Sequence, residues 1–289
     1  MSDCRSSFDV RRSSIALITA LLVSVLSAGT ASAQQTQTQP QTQTPFEPQV
    51  GQAGKDVVWV PTDEKLVEKM LDIAKITAQD FVMDLGSGDG RNIIGAAKRG
   101  ARAVGVEYNP QMVELSRANA KKAGVAERAT FIEGDMYEAD ISKATALVLF
   151  LLPVNLEKLT PKFLDLKPGT RIVDNTFAIP GWEPDYTEKL ETDCQTWCSA
   201  LLWIVPAKVH GNWRLTDGEI TFDQKFQMVT GSIKTASGAA QIESGRLRGE
   251  EITFTAGGNQ YTGRVTGDTI QGRVKGSGGE RAWSATRGM

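Results

Sequence analysis

The chain of 289 residues is 40% hydrophobic and 23% charged, an ordinary balance for a globular protein of one large or two smaller domains. Its net charge of −2 gives no global electrostatic case for nucleic acid, which is not expected as a partner.

The N-terminus reads as a targeting segment. Arg5, Arg11 and Arg12 precede an apolar run from Ile15 to Leu26, followed by Ala31-Ser32-Ala33. A basic region, a short apolar region and small residues at a cleavage site predict export to the periplasm or envelope, with removal of residues 1–33. An uncleaved anchor is the alternative. The run falls short of the roughly 20 residues a span needs, so no stable membrane span is expected after cleavage. Residues 34–55 open with a Gln/Thr/Pro tract that buries too little apolar surface to order itself and is expected to be a tether.

From residue 56 the pattern alternates. Thr62 is placed to cap a helix carrying Leu66, Val67, Met70, Leu71 and Ala74 on one face. A strand ending at Asp84 runs into Gly86, Ser87, Gly88 and Gly90, and a helix follows from Asn92. Residues 101–106 form a second strand ending at Glu107, and residues 110–123 a second helix with Met112, Val113, Leu115 and Ala118 as its buried side. A third strand at 129–132 leads to Asp135 and Met136, a fourth at 146–150 is continuously apolar, a helix is expected from Asn155 to Phe163, and a fifth strand spans 171–174. This alternation predicts an α/β fold, a Rossmann-like doubly wound and mostly parallel sheet over 56–206, with ligands at the carboxyl ends of its strands.

Cys194 and Cys198 are the two cysteines outside the targeting segment. An even pair in an exported protein suggests a bridge, but helical geometry would hold the two Cβ atoms about 5–6 Å apart, so a bridge requires a turn. Two separate buried thiols fit equally. With only His210 to help, no metal site is expected. Beyond residue 207 glycine rises and short β-rich runs dominate, among them 219–222, 226–229, 251–255 and 282–285. Three Gly-Arg-X-X-Gly units place Arg246, Arg264 and Arg273 alike, on one face or on solvated edges. A small antiparallel β domain, a meander or barrel, is expected over 207–289.

The glycine turn carries the chemistry. A dinucleotide fingerprint needs G-x-G-x-x-G, whereas here the third glycine is Gly90 and Arg91 stands in its place. The three glycines would let a donor's methionine portion approach the backbone, with Asp84 facing its ammonium. Glu107 can accept from two ribose hydroxyls, and Asp135 from an adenine amino group beside the Met136 N–H. Trp59-Val-Pro-Thr62, DLGSGDGR at 84–91, Gly105-Val-Glu-Tyr-Asn-Pro110, Glu133-Gly-Asp135, Phe150-Leu-Leu-Pro153, and the segments from Lys167 to Val173 and Phe177 to Trp182 together resemble class I methyltransferases. They are nearest to the DOT1-like and FAM173-type lysine methyltransferases. The resemblance implies S-adenosylmethionine as cofactor and methyl transfer to a lysine amine of a protein substrate. Phe150, Pro153 and Asn175 would line the acceptor slot, with Asn155, Phe177 and Trp182 as further candidates, and Trp59, Pro61 and Thr62 would close over the donor. An Asn/Asp-Pro-Pro-Tyr/Phe motif for amide or ring nitrogens is absent. Two other readings stay open: a non-catalytic envelope binding protein on this scaffold, and a small-molecule methyltransferase. The oligomeric state is not written in these motifs.

Overall fold

The computed structural model describes residues 46–192, 194–236 and 238–288. The expected targeting segment, its expected cleavage point and most of the Gln/Thr/Pro tract lie outside the described residues.

The first half folds as α1 (Glu64–Ile73), β1 (Phe81–Leu85), α2 (Arg91–Lys98), β2 (Arg102–Glu107), α3 (Pro110–Lys122), β3 (Ala129–Glu133), β4 (Ala146–Leu149), α4 (Pro153–Leu164), β5 (Arg171–Asn175), β6 (Tyr186–Lys189) and β7 (Ser199–Ile204). Its strands lie in the order β3-β2-β1-β4-β5-β7-β6. β1 to β5 run parallel, and β6 and β7 form an antiparallel hairpin that adds to the sheet through β7. Side chains alternate across the sheet. Val82, Ala146, Val148 and Val173 pack with α1, α2 and α3, while Met83, Leu147, Leu149 and Ile172 pack with α4 and Trp203. Both faces are covered, which is why β4 reads as an unbroken apolar run.

Three local expectations are corrected. Asp63, not Thr62, caps α1, its side chain accepting the Lys65 N–H, while Thr62 is buried one residue outside the helix. The buried side of α3 is Met112, Val113, Ser116 and Ala120; Leu115 is half-exposed and Ala118 exposed. Steps of four from Met112 reach Ser116 and Ala120, small residues that let α3 sit close to the sheet. α4 starts at Pro153 rather than Asn155, since proline at the first turn gives up only an N–H that has no helical partner.

The second half is a closed antiparallel barrel of β8 (Gly211–Arg214), β9 (Gly218–Lys225), β10 (Met228–Thr235), β11 (Gly238–Arg248), β12 (Glu251–Ala256), β13 (Asn259–Thr266), β14 (Thr269–Gly276) and β15 (Gly279–Arg287). Each strand pairs with the next, and β15 returns to β8 through Thr286↔Arg214 and Arg287↔Trp213. Closure removes the free edges of a short-stranded sheet. Trp213, Phe222, Leu247, Ile252, Phe254 and Ile270 fill the interior. Phe226, expected in a strand, sits instead in the β9–β10 turn at φ 53° and stacks on Trp182 of the core, ring centroids 5.2 Å apart. Of the three repeat arginines, Arg264 and Arg273 pair with Glu250 and Glu280 within the barrel. Arg246 reaches across to the buried Asp185 at 2.7 Å. The connection between the halves is itself packed: Val205, Ala207 and Val209 are buried, and the Ala207 N–H donates to the Gly249 carbonyl.

Candidate active site

A cleft of about 870 Å³, open mouth included, lies at the carboxyl ends of β1, β2 and β4. The order reverses between β1 and β4, so the flanking helices leave on opposite faces and part above the strand ends. Asp84, Gly86, Ser87, Gly88, Glu107, Asp135, Met136 and Thr62 all line this cleft. Gly90 does not. It caps α2 in the left-handed region at φ 85°, and a Cβ there would meet the Phe131 ring at 2.7 Å, so it serves the turn and the packing beneath it.

Four of the turn's N–H groups are bonded within the protein. Those of Gly86 and Ser87 donate to the Val106 carbonyl at 2.7 and 3.0 Å, that of Gly90 to the Ser87 carbonyl at 2.9 Å, and that of Gly88 to Glu107 Oε2 at 2.9 Å. The cleft is lined by acceptors: Asp84 Oδ1, Ser87 Oγ and Asn92 Oδ1 are buried without a partner. A nest of free N–H groups suits an anion, whereas a set of lone pairs suits a cation. Burial pushes the Asp84 carboxyl up to about 8; the Asn92 amide, donating to its Oδ2 at 3.0 Å, opposes this, and Glu107 and Asp89 add to it. Asp174, at the end of β5, is also fully buried and pushed well above the usual carboxylate range by desolvation, despite N–H bonds from Leu151 and Phe177. Asn92 and Asp174 were not among the sequence candidates. Asp174 had a signal, an acid ending an apolar strand just as Asp84 does.

Glu107 is held from two sides, by the N–H of Gly88 and that of Asn109, each at 2.9 Å to a different oxygen. Each oxygen keeps a second lone pair for a hydroxyl. Asp135 accepts the Tyr137 N–H at 2.8 Å and forms an ion pair with Lys55, which holds its carboxyl below the usual range. Lys55 belongs to a strap over residues 51–61, tied by bonds from the Trp59 N–H to the Gln52 carbonyl and from the Gly51 N–H to the Trp59 carbonyl. The Trp59 indole lies against Gly88, so the strap roofs the cleft. No local pattern could have revealed Lys55, which meets its partner 80 positions away.

The acceptor candidates divide. Phe150 lines the cleft and stacks on Phe177 at 6.1 Å. Asn175 is buried, its Nδ2 donating to Thr62 Oγ1 at 3.4 Å and its Oδ1 without a partner. It lines a second cavity of about 930 Å³, open mouth included, that shares Val60, Pro61 and Arg91 with the first. Pro153 is exposed at the start of α4 and borders neither cavity. Asn155 is buried and donates to the Tyr137 hydroxyl at 2.7 Å. Trp182 turns into the junction with the barrel, because Gly181 at φ 74° directs the chain away from the cleft. These last three do not line the slot.

Comparison with known proteins decides the family. The ANTKMT methyltransferase domain family matches residues 84–186. A protein-lysine N-methyltransferase of Saccharolobus islandicus is 49% identical over 138 residues, 47% of this chain and 86% of that protein. The chain belongs to the protein-lysine N-methyltransferase family. The mouse adenine nucleotide translocase lysine N-methyltransferase is 33% identical over 130 residues, 44% of this chain, and there the match spans 56% of the relative. A solved structure named as an RNA methyltransferase from Salinibacter ruber, in complex with S-adenosylhomocysteine, aligns with 44% identity and a TM-score of 0.48, covering 52% of this chain and 96% of that one. The family stretch ends ahead of the barrel. The methyltransferase uses S-adenosylmethionine, and its cleft fits that group. The group's ammonium would supply the donors that Asp84, Ser87 and Asn92 lack, and the free lone pairs of Glu107 would hold two hydroxyls.

Proposed function

We propose that the protein transfers a methyl group to the ε-amine of a lysine on a protein substrate. S-adenosylmethionine supplies the methyl as a sulfonium substituent; the residues of this chain bind, align and desolvate. Asp84, Ser87 and Asn92 fix the ammonium end, and Glu107 fixes the ribose. Phe150 lines the donor cleft with Phe177 stacked on it. They strip water from an incoming amine and so lower its pKa toward the neutral, nucleophilic form. The unpartnered Asn175 Oδ1 accepts an amine N–H and orients the lone pair for in-line attack. After the new N–C bond has formed and the C–S bond has broken, the nitrogen's extra proton leaves to water, so no strong base is required.

The observation that carries this reading is the junction of two cavities through Val60, Pro61 and Arg91, one lined by cation-binding acceptors and the other by Trp197 and Asn175. The names of the archaeal and mouse relatives support lysine as the acceptor. Incubating an envelope lysate with labelled donor and mapping the label by mass spectrometry tests it. Label on lysine is expected; a protein that binds donor but labels only other residues would overturn the acceptor, and one that binds no donor at millimolar concentration would overturn the enzyme.

We further propose that the protein is exported. The basic and apolar N-terminus supports this, as does the paired Cys194–Cys198, since bridges persist in oxidising compartments. Cell fractionation with N-terminal sequencing is expected to give an envelope protein beginning at Gln34; a cytosolic protein retaining residues 1–33 would refute it.

A further inference from the structure

The β6–β7 connection carries a bridge between Cys194 and Cys198, whose Cα atoms lie 5.7 Å apart in an irregular loop. Inside that five-residue ring sits Trp197, 40% exposed and in the left-handed region at φ 55°. A bulky residue rarely holds that conformation unless its surroundings impose it. Two ties do so. The Leu190 N–H donates to the Cys198 carbonyl at 2.8 Å, closing the base of the loop. The Thr176 N–H donates to the Ser199 carbonyl at 2.7 Å, fastening the loop to the end of β5. Thr176 is itself left-handed at φ 68°, in a tight turn that brings Phe177 back over Phe150. The result is that the Trp197 indole meets the Phe150 ring edge-on at 5.9 Å, on the side where Asn175 lines the second cavity.

We propose that the Cys194–Cys198 loop is a specificity element that holds Trp197 as an aromatic wall of the acceptor slot, edge-on to Phe150, and that the slot takes an alkylammonium group. This rests on the reading of the second cavity as the acceptor site. Trp197 lies beyond the family stretch, which ends at residue 186, so the wall is a feature of this chain's own hairpin. Trp197, partly exposed and lining the second cavity beside Asn175, offers a cation an aromatic face there, which favours an amine carrying one or more methyl groups over a bare, strongly hydrated ammonium. The slot therefore retains partly methylated lysine for further rounds. The bridge matters because it shortens the loop at the wall. Opening it frees Trp197 to leave its strained conformation and widens the slot.

The test uses tetramethylammonium as the probe and the full-length mature protein saturated with S-adenosylhomocysteine, with binding read by calorimetry and NMR line broadening. Wild type is expected to bind the probe in the millimolar range. Trp197→Ala is expected to weaken it about fivefold to thirtyfold, equivalent to the roughly 1–2 kcal/mol of a cation–π contact, and Trp197→Phe to restore most of it. Dithiothreitol delivers two electrons and two protons to the bridge, giving two thiols and its own cyclic disulfide; this treatment, and Cys194→Ser/Cys198→Ser, are expected to act like Trp197→Ala. S-adenosylhomocysteine affinity reports on folding and is expected to stay within twofold throughout. No probe binding by wild type, or binding unchanged in Trp197→Ala, overturns the wall; binding unchanged after reduction overturns the role of the bridge. Failure of lysine labelling in the lysate would sink the acceptor assignment separately, because the probe measurement needs no acceptor.

Discussion

At the scale of single residues, the donor cleft is an arrangement of acceptors. Glu107 uses one lone pair of each oxygen on the backbone of Gly88 and Asn109, so it is fixed before any ligand arrives. Glu107→Ala is expected to lower S-adenosylhomocysteine affinity by about 1.5–3 kcal/mol, the scale of hydrogen bonds to a charged group. Glu107→Gln should lose a comparable amount, since its amide would face a backbone N–H. Calorimetry reads both, and unchanged affinity would refute the ribose assignment. Asp84 has the opposite character, since its environment disfavours its charge. Its folded pKa, about 8, exceeds the ordinary carboxyl value of about 3.9. The folded state therefore binds more protons between those limits, and the stability tied to the protonated form is complete below the lower value and lost as pH rises through the upper one. Asp84→Asn is expected to flatten the fall in urea midpoint between pH 5 and pH 8.5 and to exceed wild type at the upper end, on the order of a few kcal/mol. Its donor affinity should drop tenfold or more. Asp174 shifts in the same direction and keeps part of the slope in the variant. A wild-type stability that is flat with pH would refute the raised value.

At the scale of elements, the glycine turn depends on how closely β2 approaches it. A Cβ at Gly105 would sit 2.5 Å from Ser87 Oγ and 2.8 Å from the Phe131 ring. Gly105→Ala is expected to cost about 1–3 kcal/mol by overpacking and to displace Ser87 from the cleft, lowering donor affinity as well. Gly134→Ala, whose Cβ would have its nearest neighbour at 3.6 Å, is expected to leave stability unchanged. Urea denaturation of the pair checks this, and equal midpoints would refute the close approach. The same elements show what was legible beforehand. Strands and helices followed from periods of two and of about three to four because those are local properties of the chain. The hairpin β6–β7 escaped notice because β6 is mostly exposed and four residues long, with no alternation to mark it. Pro153 was misplaced because a motif gives the order of residues along α4 but not the face each presents.

At the scale of the whole molecule, the barrel is joined to the core by a stacked pair, Trp182 and Phe226, by the Asp185–Arg246 ion pair, and by Gln227 Nε2 donating to the Glu183 carbonyl at 2.6 Å. The Asp185 side chain is 4% exposed; the core supplies it the Ile204 N–H at 2.8 Å, but its cationic partner, Arg246, comes from the barrel. The two halves are therefore expected to unfold in one transition. Phe226→Ala removes the ring from the junction and is expected to split the thermogram into two transitions, the barrel and the core separating in scanning calorimetry. A single transition at the wild-type temperature would show that the stack does not couple them.

The amino-acid sequence by itself determined the doubly wound core, the β-rich second half, the glycine turn and the acids at successive strand ends. Each of these is written in spacing along a short stretch of chain. Only the tertiary structure decided what the turn presents to a ligand. The N–H groups of Gly86, Ser87 and Gly88 are bonded to Val106 and Glu107 on the neighbouring strand, while Asp84 Oδ1, Ser87 Oγ and Asn92 Oδ1 stay without a partner, a set that suits a cation. It also decided that Trp197 rather than Trp182 stands beside Phe150, that Lys55 meets Asp135, and that eight strands close on themselves. The physical reason is common to all four: hydrogen bonds, ring contacts and ion pairs form between groups far apart in sequence, and no local pattern records which of the available partners the packed chain brings together.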